Sequence, residues 1–319
     1  MTKIVLAGTY PKGTLEGFKE RLSGEDVEIV AVDNPEAYAA MTDANIIILR
    51  VFKAYKDTIE RNKNLKAICR WGAGVDSVDV EFATSRGIYV TNAPGANAYA
   101  VSDLAVLLML AVGRNLLFHE NTIQSGKWSK GMFVDNAITL NAKTVGLIGG
   151  GNIGRQVARK VQAFGARVQY FDVFRLKPEM EAEFNMKFVS LDELLKTSDV
   201  VSIHVPLTEE NRHMINAEKI AMMKDGAIVI NAARGGLIDD KALAKAIDEG
   251  HLMGAGLDCV EDEPLPAGHP LLGHPNIILT PHIGGTVSDM GASMIPMIGD
   301  NLKRFLHGEK LLYTVNEIA

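Results

Sequence analysis

The chain has 319 residues, 47% hydrophobic and 23% charged, with a formal net charge of −6. That length supports two domains with separate cores, and the balance is that of an ordinary globular protein. The negative charge argues against a general nucleic-acid binder, while leaving room for a local basic pocket that takes an anion.

The two cysteines, Cys69 and Cys259, each sit inside an apolar run, which points to buried thiols in a reducing compartment rather than a disulfide. "MTKIVLAGTY" enters a strand directly and lacks the long apolar core of a secretory signal. "LAVLLMLAV" (104–112), flanked by Asp103 and Arg114, is too short to span a bilayer and reads as a buried helix. A cytoplasmic protein with no membrane or nucleic-acid partner is expected.

The first hundred residues alternate short apolar runs with amphipathic stretches. "KIVLAG", "VEIVAV", "NIIILR", "LKAICRW" and "IYVTN" are strand candidates, and Leu15, Phe18 and Leu22 recur at helical spacing between the first two. Such alternation implies a parallel sheet covered by helices on both faces. A second series follows the apolar helix: "TVGLIG", "RVQYFD", "KFVS", "DVVSIHV", "GAIVINA", "GAGLDC" and "NIILTPH". Ser190 with Glu193 forms a capping box, and the helix over 239–249 ends at Gly250. The tail, 288–306, reads as a helix with Met and Leu on one face, which Pro296 is expected to kink or split.

Between Thr144 and Asp172 lies G-x-G-x-x-G, formed by Gly149, Gly151 and Gly154. Gly149 permits the tight turn from strand to helix, Gly151 lets the backbone approach a pyrophosphate, and Gly154 lets helix and strand pack closely. The free N–H groups of the helix start favour phosphate there. Ile153, Val157, Val161 and Phe164 mark one face of that helix, and Asp172 ends the next strand, 18 residues beyond Gly154. A carboxylate there accepts ribose hydroxyls and repels a 2′-phosphate, favouring NAD over NADP, although Arg175 nearby leaves NADP open. The glycines alone are equally those of a turn that binds nothing; the strand, helix and Asp172 around them make the difference.

Three later segments, "NAARGGLID", "GLDCVEDEPLP" and "LTPHIGG", each follow a strand, where open α/β sheets place their ligand crevice. They carry Arg234, Glu263 and His282. An arginine fork suits a carboxylate and polarises a neighbouring carbonyl. A histidine exchanges a proton with a carbonyl oxygen or alcohol, and a glutamate on its other nitrogen fixes the tautomer and stabilises the cation. Singly, each has a plain structural reading: a strand-end ion pair, a solvated loop acid, a structural histidine. Their common position is what singles them out. No metal site is expected.

"GLIGGGNIG", "HVPLTEENRHMIN", "NAARGGLID", "GLDCVEDEPLP" and "TPHIGG", in this order, resemble the D-isomer-specific 2-hydroxyacid dehydrogenase family. The likeness extends through "RWGAGVDSVD", "ATSRGIYVTNAPGANAYAVSDLAVLLMLAVGR" and "SGKW", about residues 45 to 310. "ILRVFK" followed by "KAICRWGAGVDSVD" is closest to the phosphoglycerate dehydrogenase branch.

The resemblance implies an α/β fold of two Rossmann-like or flavodoxin-like parallel-sheet domains. A substrate-binding domain, 1–98, is completed by 287–319, and an NAD-binding Rossmann domain, 99–286, is inserted in it. It implies Arg234, Glu263 and His282 as the catalytic set. NAD contacts are implied from Ala73, Gly149, Gly151, Asn152, Ile153, Gly154, Asp172, Val205, Thr208, Ala232, Ala233, Asp258 and Gly284. Substrate contacts are implied from Arg234 and the loop glycines Gly72 and Gly74, with Arg50 and Arg70 toward a phosphate. The implied function is NAD-dependent hydride transfer between NAD(H) and a small D-2-hydroxy acid or 2-keto acid. Candidates are the 3-phosphoglycerate/phosphohydroxypyruvate couple, or glyoxylate or hydroxypyruvate as the 2-keto substrate, in a homodimer. The same family includes NAD(H)-sensing corepressors, the alternative reading. Formate dehydrogenases fit poorly, since they pair the histidine with glutamine where Glu263 stands. "VSDL" departs from the family's usual Ala-Glu, which puts any contact of that glutamate in doubt at Asp103.

Overall fold

The computed structural model describes residues 1–128 and 130–318. The chain divides into two units: Met1–Asn97 with Gly285–Ala319, and Ala98–Gly284.

The first unit holds five parallel strands: β1 Thr2–Ala7, β2 Val27–Val32, β3 Ile46–Leu49, β4 Ala67–Arg70 and β5 Tyr89–Thr91. Their order is β2-β1-β3-β4-β5, the flavodoxin-like arrangement. Val5, Ile47, Leu49, Ile68 and Val90 are fully buried, as β-branched runs covered on both faces must be. Phe18 and Leu22 face inward from the first helix, Thr14–Arg21.

The tail is not split at Pro296. Gly291–Leu306 is one helix with Pro296 inside it, not two. Pro296 lacks one backbone donor, but Met294, Ile298 and Leu302 bury a continuous apolar face, and that packing outweighs one missing bond. Gly17 of the first helix admits Ile295, whose Cδ1 lies 2.7 Å from where a Cβ would stand.

The second unit holds seven parallel strands: β6 Thr144–Ile148, β7 Arg167–Phe171, β8 Lys187–Phe188, β9 Val200–Ile203, β10 Ala227–Asn231, β11 Leu252–Leu257 and β12 Ile277–Leu279. Their order, β12-β11-β10-β9-β6-β7-β8, reverses direction between β6 and β9. That is the doubly wound pattern, and the switch point it creates is where such sheets bind ligands. The helix Ala98–Gly113 is apolar nearly all round because it is nearly all buried: Val101, Ala105, Leu108, Met109 and Val112 lie in the core. Among the described residues no single helix is long and apolar enough to cross a membrane.

Two details differ from the sequence reading. β11 begins at Leu252 and ends at Leu257, so Asp258 and Cys259 fall in the loop beyond it. Phe164 is exposed (48%), and Ala158 joins Val157 and Val161 in the buried stripe of the helix Asn152–Ala163 instead. Phe164 follows the last helical residue, where the chain turns away from the sheet.

Candidate active site

The glycine turn after β6 has the geometry its sequence calls for. Gly149 has φ 111°, and a Cβ there would stand 2.6 Å from the His204 carbonyl oxygen at the end of β9. A Cβ on Gly154 would meet the Gly149 carbonyl oxygen at 2.1 Å. These close approaches draw the helix Asn152–Ala163 down onto the switch point. Among the described residues, apart from its chain neighbours, nothing lies within 4 Å of a Cβ built on Gly151, and no side chain caps this helix. The turn therefore fits the pyrophosphate of a dinucleotide, with unpaired N–H groups and a partial positive charge toward it. Asn152 accepts a hydrogen bond from Arg155, and Ile153 is half-buried beside the core. Val205 borders the turn from the β9 side, while Thr208 is exposed in a loop, its N–H bonded to Asn211.

At the end of β7, Asp172 accepts a hydrogen bond from the Gly150 N–H (2.8 Å). Arg175 points its guanidinium at Glu181 with two bonds, 2.8 and 3.0 Å. Tyr170 donates to the same carboxylate (2.7 Å). The bonds from Arg175 and then Tyr170 hold the Glu181 carboxyl down to about 2, so it stays ionised and keeps Arg175 engaged. The Asp172 carboxylate is thus built into the turn, and the nearby cation is occupied.

The loops beyond β10, β11 and β12 bring the chemistry-bearing residues together. Asn231, buried at the end of β10, ties its turn by accepting from the Ala233 N–H and donating to the Arg234 carbonyl. Ala232 and Ala233 are buried there. Gly235 follows because nothing larger fits: a Cβ would stand 1.8 Å from the Val260 carbonyl oxygen. This close approach sets the Arg234 loop against the Glu263 loop, and Arg234 directs Nη1 onto the Ala233 carbonyl (2.7 Å).

Asp258 organises the next turn. Its carboxylate accepts from Thr280 Oγ1 (2.6 Å) and from the N–H groups of Ile283 and Gly284 (both 2.8 Å). Its own carbonyl accepts from the His282 N–H (2.9 Å). His282 consequently adopts a left-handed backbone, φ 53°, which few non-glycine residues take without other contacts imposing it. The ring then meets Glu263, Nδ1 to Oε2, at 3.0 Å. Burial works against ionisation of Glu263. The hydrogen bond and charge of His282, the Val260 N–H and the charge of Arg234 together prevail and hold the carboxyl below its usual range. A pocket of about 450 Å³ opens beside the pair, lined by Val260, Pro264, Leu265, Leu272 and Leu279.

Nothing in the sequence pattern marks Thr280, Asn231 or Gly235, nor the role of Asp258 in shaping the turn. Asp103, the departure in "VSDL", pairs with Lys160 at 2.6 Å on the outside of its helix.

The remaining candidates lie in the first unit. Arg50, just beyond β3, bonds the Thr9 carbonyl and, at 3.4 Å, Thr286 Oγ1. Arg70, at the end of β4, places Nη1 on the Leu49 and Trp71 carbonyls (3.1 and 3.0 Å). Gly72 has φ 142° and bonds the Arg70 carbonyl through its N–H. The carbonyls of Gly72 and Ala73 are taken by the Ala93 N–H and by Asn92. Gly74 follows in the same loop.

The family model described as "D-isomer specific 2-hydroxyacid dehydrogenase, NAD binding domain" matches residues 106–284. The chain is 37% identical over 318 residues to a D-3-phosphoglycerate dehydrogenase of Methanocaldococcus jannaschii, covering 99% of this chain but 60% of that protein. It is 40% identical over 322 residues to a glyoxylate reductase of Thermococcus kodakarensis, covering 96% of this chain and 94% of that one. Among solved structures, the TT0316 protein from Thermus thermophilus superimposes with a TM-score of 0.85 at 38% identity, over 99% of this chain and 100% of that one. The chain belongs to the D-isomer specific 2-hydroxyacid dehydrogenases, and its second unit carries their NAD-binding domain.

Proposed function

We propose that the chain uses NADH to reduce a small, unphosphorylated 2-keto acid of the glyoxylate and hydroxypyruvate kind to the corresponding 2-hydroxy acid, the D-isomer where that carbon is a stereocentre. The observation that carries the chemistry is the His282–Glu263 contact of 3.0 Å, on loops that share one end of the second unit's sheet with Arg234. The glycine turn, Asp172 and the Asp258 loop are the residues that would hold the cofactor, which when bound supplies the hydride. The remaining work falls to side chains. Arg234 grips the substrate carboxylate and polarises the adjacent carbonyl. His282 delivers a proton to the carbonyl oxygen as hydride arrives, or removes it in reverse. Glu263 holds Nδ1, leaves the other ring nitrogen for the substrate and balances the imidazolium charge.

The choice of an unphosphorylated substrate is supported by the glyoxylate reductase similarity over nearly the whole length of both chains. It is supported also by Arg50 and Arg70, whose guanidinium groups are engaged by main-chain carbonyls. Phosphohydroxypyruvate is the second reading. It is favoured by the Methanocaldococcus relative and by two arginines at the ends of neighbouring strands. The family resemblance supports a homodimer, and two buried thiols support a reducing, cytoplasmic setting.

The test is NADH oxidation by the purified chain against glyoxylate, hydroxypyruvate, pyruvate, 2-oxobutyrate and phosphohydroxypyruvate. The highest kcat/KM is expected with glyoxylate or hydroxypyruvate. Preference for phosphohydroxypyruvate selects the second reading, and turnover of none of them sinks both. Light scattering on the eluted peak reads the assembly.

A further inference from the structure

We propose that Cys259, Glu263 and His282 form a binding site for one thiophilic divalent cation, Zn²⁺ or Cd²⁺. Their ligand atoms, a sulfur, a carboxylate oxygen and an imidazole nitrogen, all lie within 4.8 Å of one another. Ligands of a tetrahedral zinc ion stand roughly 3.3–3.7 Å apart, given metal–ligand distances of about 2.0–2.3 Å. The set therefore closes with a side-chain movement of about 1 Å. Glu263 and His282, at 41% and 46% exposure, have room to make it, while Cys259 is buried and supplies the fixed point.

The donor types choose the ion. A thiolate with imidazole and one carboxylate selects soft or borderline cations, and Mg²⁺ or Ca²⁺ require several oxygens instead. Three protein ligands leave a fourth position open to water. Binding releases the proton of the Cys259 thiol and any proton carried by the imidazole, so affinity rises with pH. The ligands are not a linear motif: Cys259 and Glu263 share one loop, and His282 comes from another, 19 residues beyond Glu263. The left-handed turn at His282 and the Asp258 bonds bring them together.

The site rests on this geometry alone. Its consequence, that a cation held there takes the Glu263–His282 pair out of proton transfer, rests on the catalytic reading above.

The experiment uses chelator-stripped, full-length protein. Co²⁺ is added first, and a near-ultraviolet thiolate-to-cobalt charge-transfer band is followed; Zn²⁺ is then titrated calorimetrically. Wild type is expected to show the band and to bind one Zn²⁺ per chain, with no heat from Mg²⁺. Cys259→Val is expected to lose the band and at least tenfold in Zn²⁺ affinity. Cys259→Ala gives the same reading should valine prevent folding. No band in the wild type, or a Zn²⁺ affinity in the variants equal to that of the wild type, overturns the proposal. NADH oxidation in metal-free buffer reports separately on the catalytic reading. Zinc inhibition of the wild type, with resistance in the variants, is the further result expected.

Discussion

Nδ1 of His282 stands 3.0 Å from Oε2 of Glu263, and the histidine reaches it only because its own backbone is left-handed. The ring is thus aimed by the turn and by the carboxylate together, which separates the two residues' expected effects. His282→Ala removes the proposed proton donor and should lower kcat by about 10²–10⁴-fold. Glu263→Gln keeps a hydrogen-bond acceptor but loses the charge. It should lower kcat less. The direction of pH-dependent stability at the acid side follows from Glu263, whose carboxyl is held below its usual range in the folded chain. The stability it contributes is complete above the unfolded carboxylate value, about 4.3. It is lost as pH falls through the lower folded value. Wild-type rates in His282→Ala would remove the proposed mechanism.

Gly235 offers a test that touches no chemical group. A Cβ there would stand 1.8 Å from the Val260 carbonyl oxygen, and two main chains cannot both stay in place. Gly235→Ala should push the Arg234 loop from the Glu263 loop and lower kcat/KM more than tenfold. NADH affinity, read by fluorescence titration, should fall less than turnover, because Gly149, Gly151 and Asp172 lie on other strand ends and only the Asp258 loop is shared. Equal losses in NADH binding and turnover would mean that the whole unit had been disturbed.

In the proposed reading, cofactor choice depends on a relay of charges. Asp172 is fixed by the Gly150 N–H, and Glu181 keeps Arg175 occupied. Asp172→Ser removes the carboxylate that repels a 2′-phosphate and should raise the NADPH-to-NADH ratio of kcat/KM by about tenfold. Adding Glu181→Gln releases Arg175 and should raise it further, since the guanidinium can then turn to a phosphate. A ratio unchanged in both variants would place the 2′ site elsewhere.

Most strands are legible because they are short β-branched runs between polar residues, and the ends of β1, β2, β9 and β10 fall close to where those runs stop. β11 is displaced for a tertiary reason. Gly254 and Gly256 look like the start of a strand, but they are small because Asn276 and Leu108 press against them in its middle. Pro296 misleads in the opposite sense: local propensity says break, and the buried face of Met294, Ile298 and Leu302 says continue. The residues Arg234, Glu263 and His282 were visible as residue types at strand ends. Their support was not, because the Asp258 bonds, the Gly235 approach and the left-handed His282 each join segments distant in sequence.

His204 carries the remaining prediction, and its sign is opposite to that of a surface histidine. It follows β9 beneath the glycine turn, with Nε2 bonded to Ser202 Oγ at 2.9 Å. Its Nδ1 is buried and, among the described residues, has no hydrogen-bond partner. Burial pushes its pKa down to about 3, far below the usual 6.5, so the imidazole is neutral in the folded chain. Between those values the unfolded chain binds one more proton than the folded one. The stability is therefore complete above about 6.5 and is lost as pH falls toward 3, at roughly 1.4 kcal/mol per pH unit. Urea unfolding of the wild type from pH 7 down to 4.5 should show this slope over and above that of the carboxylates. His204→Gln, which keeps a polar group beside Ser202 without a titrating ring, should unfold with a shallower dependence on pH. It should also be less stable at pH 7, because an amide does not reproduce the packing of the ring beneath Gly149. Parallel slopes for the two proteins would show that His204 takes up its proton without unfolding the turn above it.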